Sequence, residues 1–414
     1  MGKGLQVRQI ASESVGFCKT IAHDHPGSTA RRALILSLAP LALLTGCGQC
    51  GSGDPEPVGK PVDNVENSAT PSRVLTNATT GSHLANCAAT LDQARSPLFV
   101  SSLFDQSTIL SVDPSGAHHR LELKDTAAIG GLYRLPDDNI AALEFGGDRL
   151  LKFGPPAAPG PMVQTQPPLT VCQTPRLLTQ HGQKAWILCR DAKRRLVEVD
   201  LQAWTARPIE LPGSTPADLA LDPSGKWLLV ANLASHDLTP VDLTTGKSAP
   251  RLPVEKEPYR LIASASTDKA RMVVLYANSN RATLIDPLER SLVRTHVLEH
   301  IPTDAVFSPD GQHLFMLSAG AGRLMVASAD TLEVSQSLEA PVGSASVVWN
   351  QGRLLLSTGK GGALRIFDWK DQSLTLVDEV QLGAAAGKIC AGPGPDNVWL
   401  TGPQAGRVAR YKVQ

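Results

Sequence analysis

The sequence predicts an all-β protein, a β-propeller of four-stranded blades, with eight blades preferred over seven. Three observations predict it. Short apolar runs of strand length recur along residues 84–414 with turn residues between them. Their spacing is long and regular. No segment of useful length carries a helical period. Regular short strands suggest a sandwich, a barrel or a propeller, and a fixed period of roughly 40–45 residues selects the propeller.

The clearest repeat spans residues 216–246. It reads as three strands, near 218–221, 227–231 and 238–241. They are joined by Asp222-Pro223-Ser224-Gly225 and Thr244-Thr245-Gly246. Proline presets φ in such turns and glycine tolerates positive φ. Second-strand runs begin at Leu98, Ile140, Trp186, Trp227, Met272, Leu314, Leu354 and Val398. Third-strand runs begin at Ile109, Leu150, Leu196, Leu238, Ala282, Leu324, Leu364 and Val408. Fourth strands vary more, as outer edges do. The first and last repeats each carry their own second and third strands, so they are separate blades. The last repeat ends after its third strand, and residues 72–76 could supply its outer strand and close the ring. Closure removes open sheet edges. Trp186, Trp227 and Trp399 recur near second-strand starts, a position that reads as packing between blades.

The segments from Ala217 to Asn232 and from Asp304 to Leu317 resemble the YVTN-type propeller repeat, a group bordering on lactonase-like propellers. The signature tetrapeptide is replaced by Leu229-Val230-Ala231-Asn232 and Leu275-Tyr276-Ala277-Asn278. The group is functionally mixed, so the resemblance implies fold far more than activity.

The N-terminus reads as an export signal rather than as fold. Arg31 and Arg32 precede an apolar run over residues 33–44. That run is too short to span a bilayer, which takes about 20 residues. It leads into Leu44-Thr45-Gly46-Cys47, which resembles the bacterial lipobox. The resemblance implies cleavage before Cys47 and diacylation of its thiol. More than one acyl chain gives stable anchoring. Gly48, where inner-membrane retention would have Asp, implies the outer membrane. Residues 1–30 do not fit a signal n-region, since they include Glu13 and Asp24, and a start downstream of Met1 is an expectation. The expected organisation is an export signal over 1–46, a flexible tether over 47–81 and a propeller over 82–414. The tether is rich in Gly, Pro, Ser and Asn and is poor in large apolar groups that could offset ordering entropy.

The chain carries 39 basic and 39 acidic residues. Removing 1–46 leaves 34 against 37, a net charge of −3. Such a balance argues against nucleic acid, which calls for a basic stripe. Of seven cysteines, Cys18 lies in the export segment and Cys47 would carry lipid. The others would sit in an oxidising compartment. Cys172 and Cys189 flank a turn near Gly182 and are expected to bond. Cys87 and Cys390 fall in the innermost strands of the first and last blades, neighbours on ring closure, and are expected to clamp it. Cys50 is left over, or pairs with Cys87 instead. No cysteine or histidine spacing reads as a metal site.

Innermost strands line a propeller's channel, and the loops leading into them form its mouth. Here these read Pro175-Arg176, Pro216-Ala217-Asp218, Pro258-Tyr259-Arg260 and Pro302-Thr303-Asp304. Asp218, Arg260 and Asp304 recur at spacings of 42 and 44. With Arg176 they would form an alternating charged rim over four blades, to which Lys388 of the last blade adds a positive charge. Such a rim reads either as a ring of ion pairs between blades or as a polar funnel for a small ligand. A lactonase-like metal hydrolase would use Asp218, Asp304 and Asn350, but the arginines between them oppose a cation. His118 and His119 are adjacent on a strand, point to opposite faces and cannot chelate one ion. The sequence therefore predicts a non-catalytic, lipid-anchored scaffold facing the periplasm, with a protein or envelope ligand and no cofactor. A lactonase-like hydrolase at the channel mouth is the alternative.

Overall fold

In the computed structural model the chain divides into residues 1–42 and 43–414, and every described residue lies in the second unit. The structure describes residues 74–79, 84–89, 98–102, 108–112, 118–123, 128–144, 147–154, 162–190, 196–359, 362–381, 387–391, 398–402 and 407–411. In the strands before residue 108 and in the final strand it describes the backbone alone. The export segment, Cys47, Cys50 and the side chain of Cys87 lie outside the described residues.

The architecture is a β-propeller. Among the described residues the strands form eight antiparallel sheets, met in chain order. The clearest is the fourth, in which Pro216–Leu221, Trp227–Asn232 and Asp237–Asp242 pair in succession. Its outer edge is split into Lys247–Ser248 and Leu252–Pro253, both paired to the third strand. The other sheets have four strands each. The last is assembled from both ends of the domain: Ile389–Ala391, Val398–Gly402 and Arg407–Tyr411, then Val74–Thr79 on its outer edge. That outer strand falls within the stretch whose composition reads as tether. Each innermost strand lies beside the innermost strand of the next sheet, and Ile389–Ala391 lies beside Leu84–Ala89.

The turns follow the residues that read as turns. In residues 222–225 the Asp222 carboxylate accepts the backbone N–H of Ser224 at 2.9 Å and of Trp227 at 2.5 Å. Gly225 closes the turn at φ +70°, and Gly311 closes its counterpart at +68°. Both values favour glycine, which has no Cβ to clash.

Second and third strands are buried almost throughout, because each is covered on both faces by neighbouring sheets. Trp227–Asn232 and Met272–Tyr276 have no exposed residue. Outer strands show the opposite: most residues of Ser291–Val297 are exposed. The core therefore lies between sheets. Trp186 packs with Leu211, Leu219 and Val230, and Trp227 with Leu261, Met272 and Val274, each tryptophan bridging to the following sheet.

Candidate functional site at the channel mouth

Strand register brings four of the five charged candidates to one level. Asp218 lies opposite Ala231, Arg260 opposite Leu275 and Asp304 opposite Leu317. Ser346 opposite Ser357 holds the same level in the seventh sheet. In the last sheet Ile389 faces Leu400, which puts Lys388 there too. Arg176 does not join them. A β-bulge between Pro175 and Leu177 absorbs it, and Leu177 takes the level of Asp218 instead. The same bulge takes up Ala217 and Tyr259 in the next two sheets, and Arg176, standing one residue after its proline rather than two, falls in it, so the expected four-member alternation of charge is a three-member one. Burial and the neighbouring Arg190 lower the pKa of Arg176.

The three aligned charges interact in sequence. Arg260 Nη2 donates to Asp304 Oδ1 at 3.0 Å, and Arg260 Nη1 stands 4.0 Å from Asp218 Oδ2. Arg260 thereby links three successive sheets. Asp218 is buried, and both its oxygens are engaged by backbone. Oδ1 accepts the N–H of Leu219 at 2.9 Å, and Oδ2 accepts the N–H of Leu261 on the next sheet, also at 2.9 Å. Burial raises the Asp218 pKa in spite of Arg260 and these two donors. Enclosure opposes the charge of Arg260 as well, but Asp304 and Asp218 outweigh it and hold the guanidinium above its usual range. For Lys388, enclosure and then the like charge of Arg260 lower the pKa, with Asp304 opposing.

Arg260 has 44% of its side chain open to solvent, and Lys388 is exposed. Two tyrosines brace the same level and were not legible as site residues. The Tyr259 hydroxyl donates toward the carbonyls of Pro302 at 3.1 Å and Thr303 at 2.8 Å on the following sheet. The Tyr133 hydroxyl donates to the Arg176 carbonyl at 3.4 Å, and burial pushes its pKa up to about 12. Tyr259 sits inside the Pro-x-Arg triplet, so its sequence signal was its neighbourhood.

The remaining candidates separate. Asn350 lies at the far end of its strand, opposite Arg353, four residues from the level of Asp218 and Asp304. Among the described residues no three His, Cys, Asp or Glu side chains converge as metal ligands. His119 lies in the outermost strand of the first sheet but is half-buried rather than fully solvated.

Cys172 and Cys189 are disulfide-bonded, with Cα atoms 6.1 Å apart. Cys189 faces Pro175 and Cys172 lies in the segment leading into that strand, so the bridge fastens the lead-in rather than two paired strands. Cys390 is also disulfide-bonded, to a partner outside the described side chains.

No family model matches the chain, and no curated protein matches it. Solved structures do. The computationally designed Ika8 protein is 12% identical with a TM-score of 0.65, the match covering 82% of this chain and 99% of that one. Sqt1 of Saccharomyces cerevisiae is 8% identical with a TM-score of 0.66, again covering 82% and 99%. The dihydro-heme d1 dehydrogenase NirN, solved in complex with DHE, is 14% identical with a TM-score of 0.61, covering 72% of this chain and 66% of NirN. Sqt1 and NirN are β-propeller proteins. At these identities the likeness establishes the fold, and function has to be argued from the site.

Proposed function

We propose that this chain is a lipid-anchored, eight-bladed propeller of the bacterial cell envelope, related to the YVTN-type repeat proteins. It serves as a binding scaffold for a protein or envelope ligand and carries out no chemistry at its channel. One observation carries the reading. Asp218 and Asp304, which a metal hydrolase would leave open for a cation, are engaged by Arg260 between them, and Asp218 also by the backbone of the next sheet. A guanidinium between two carboxylates occupies the charge that a metal would need. The lipobox-like Leu44-Thr45-Gly46-Cys47 supports the anchor, and Gly48 supports the outer membrane with the propeller facing the periplasm. The hydrolase alternative keeps one supporting observation, the placement of Asp218 and Asp304 at a common level.

Metabolic palmitate labelling tests the anchor. Wild type should carry label in the outer-membrane fraction and Cys47→Ser should not. Label surviving in Cys47→Ser would overturn the lipoprotein reading. Cross-linking in intact cells before mild detergent extraction tests the scaffold. A single stoichiometric partner, lost when the Cys47→Ser chain is released from the membrane, is the expected result.

A further inference from the structure

Resting on the lipid-anchor reading and extending it, we propose that the outer rim of the fifth to eighth sheets is a second membrane contact, an apolar edge that lies against the lipid surface holding the anchor.

The observation lies in one register position. On the outer strands of the fifth, sixth and seventh sheets, Leu292 faces Ile285, Val334 faces Ala327 and Leu376 faces Phe367. Those partners face Met272, Leu314 and Leu354. These stand before Leu275, Leu317 and Ser357, the residues at the level of Arg260 and Asp304, so the position lies on the side away from the channel mouth. In the eighth sheet it falls to Val74, which faces Tyr411 and through it Val398. The first four sheets place His118, Gln164, Ala206 and Ser248 there. Large apolar residues thus hold the position in four consecutive sheets and in none of the others. Leu292 is 44% exposed, Val334 38% and Leu376 44%, and Val293 and Val377 beside them are exposed as well.

Scattered exposed apolar side chains are ordinary, whereas a contiguous set marks a contact surface. The form of the edge selects the partner. A β-bulge follows the position in each of the three sheets, between Leu292 and Arg294, Val334 and Gln336, and Leu376 and Asp378. Bulges interrupt the row of backbone donors and acceptors that an added strand needs. What the edge still offers is non-directional burial of hydrocarbon, which lipid supplies. The path of the chain agrees. Val74 opens the first strand, so the segment leading from Cys47 joins the propeller at this same position and on this same side. Residues 48–73 separate the two. A flexible link of that length spans about 25–30 Å. An anchor within that reach makes the rim contact intramolecular, so a few side chains suffice where they would not hold a free chain. A propeller seated on this rim turns its channel mouth away from the bilayer.

Photolabelling from the lipid tests the contact. The full chain is reconstituted in phosphatidylcholine vesicles containing a phosphatidylcholine with a photoactivatable group near its headgroup, irradiated and digested, and labelled peptides are located by mass spectrometry. Label is expected on the outer strands of the fifth to seventh sheets and not on those of the third and fourth. Leu292→Ser combined with Leu376→Ser should lower it several-fold in a chain that melts like wild type, and Ser248→Ala should leave it unchanged. A palmitate-bearing chain with no label on these strands, or with label spread evenly over all outer strands, would overturn the rim contact while leaving the anchor intact. Undiminished label in the double variant, or cross-links joining two copies through these strands in place of lipid label, would overturn it as well. The expected label on a chain that bears no palmitate would uphold the rim and overturn the anchor, and a chain with neither would overturn both.

Discussion

Replacing Asp218 by alanine probes what the aligned charges do for the fold. The substitution leaves the Leu261 N–H, 2.9 Å from Asp218 Oδ2, without its acceptor. An orphaned buried donor costs about 1–3 kcal/mol. It also removes one of the two carboxylates beside Arg260. At 4.0 Å, with the guanidinium partly in solvent, that contact is worth at most about 1 kcal/mol. Against these losses, alanine has no charge to bury, and the raised pKa of Asp218 says that burying this one is costly. The expected net loss is about 2 kcal/mol at neutral pH, most of it from the backbone contact. Urea denaturation of both chains under oxidising conditions measures it. A cycle with Arg260→Ala should return a coupling below about 1 kcal/mol. The pH dependence has a definite sign. Because burial raises the folded pKa above the unfolded one, the folded chain binds more protons between the two values. The contribution of Asp218 to stability therefore falls as pH rises through that window, and the gap between wild type and variant widens on acidification. A variant as stable as wild type, a coupling that accounts for the whole loss, or a gap that narrows on acidification would refute the reasoning.

Three further outcomes follow from the packing and the bridges. Gly213→Ala puts a methyl group onto the side chain of Asn232, which donates to Asp237 at 2.8 Å and to Thr239 at 2.9 Å, and should cost about 1–3 kcal/mol in the same assay. Replacing Cys172 and Cys189 together by alanine, which removes a bridge spanning 17 residues and leaves the one at Cys390 intact, should lower stability by about 3 kcal/mol on the chain-entropy account, read against wild type with both chains kept oxidised. Non-reducing peptide mapping should recover Cys390 joined to Cys87, since their strands lie side by side, and a Cys50 peptide in its place would contradict that pairing.

Much of the fold was legible because it is written in short-range chemistry. Asp222-Pro223-Ser224-Gly225 and Ser308-Pro309-Asp310-Gly311 fold through bonds among their own side chains and backbone, so each copy announces itself without reference to the rest of the chain. Completion of the last sheet by Val74–Thr79 was readable as a missing strand at one end and a strand-like run at the other. The site was legible only in part. Proline spacing set Asp218, Arg260 and Asp304 in register, because the distance from proline to strand is the same in each repeat. It misplaced Arg176, because that charge stands one residue after its proline and so occupies the bulge position that Ala217 and Tyr259 occupy in the next two repeats. It also could not show that Asp218 binds the backbone N–H of Leu261, since a backbone donor has no residue identity to read.

Calcium titration of the full chain, with Asp304→Asn alongside, is the most direct test of whether the channel charges hold the blades together or serve a metal-dependent reaction. With Arg260 lying 3.0 Å from Asp304 and 4.0 Å from Asp218, the scaffold account predicts identical calcium responses from the two proteins. Saturable calcium binding by wild type that disappears in Asp304→Asn would contradict it.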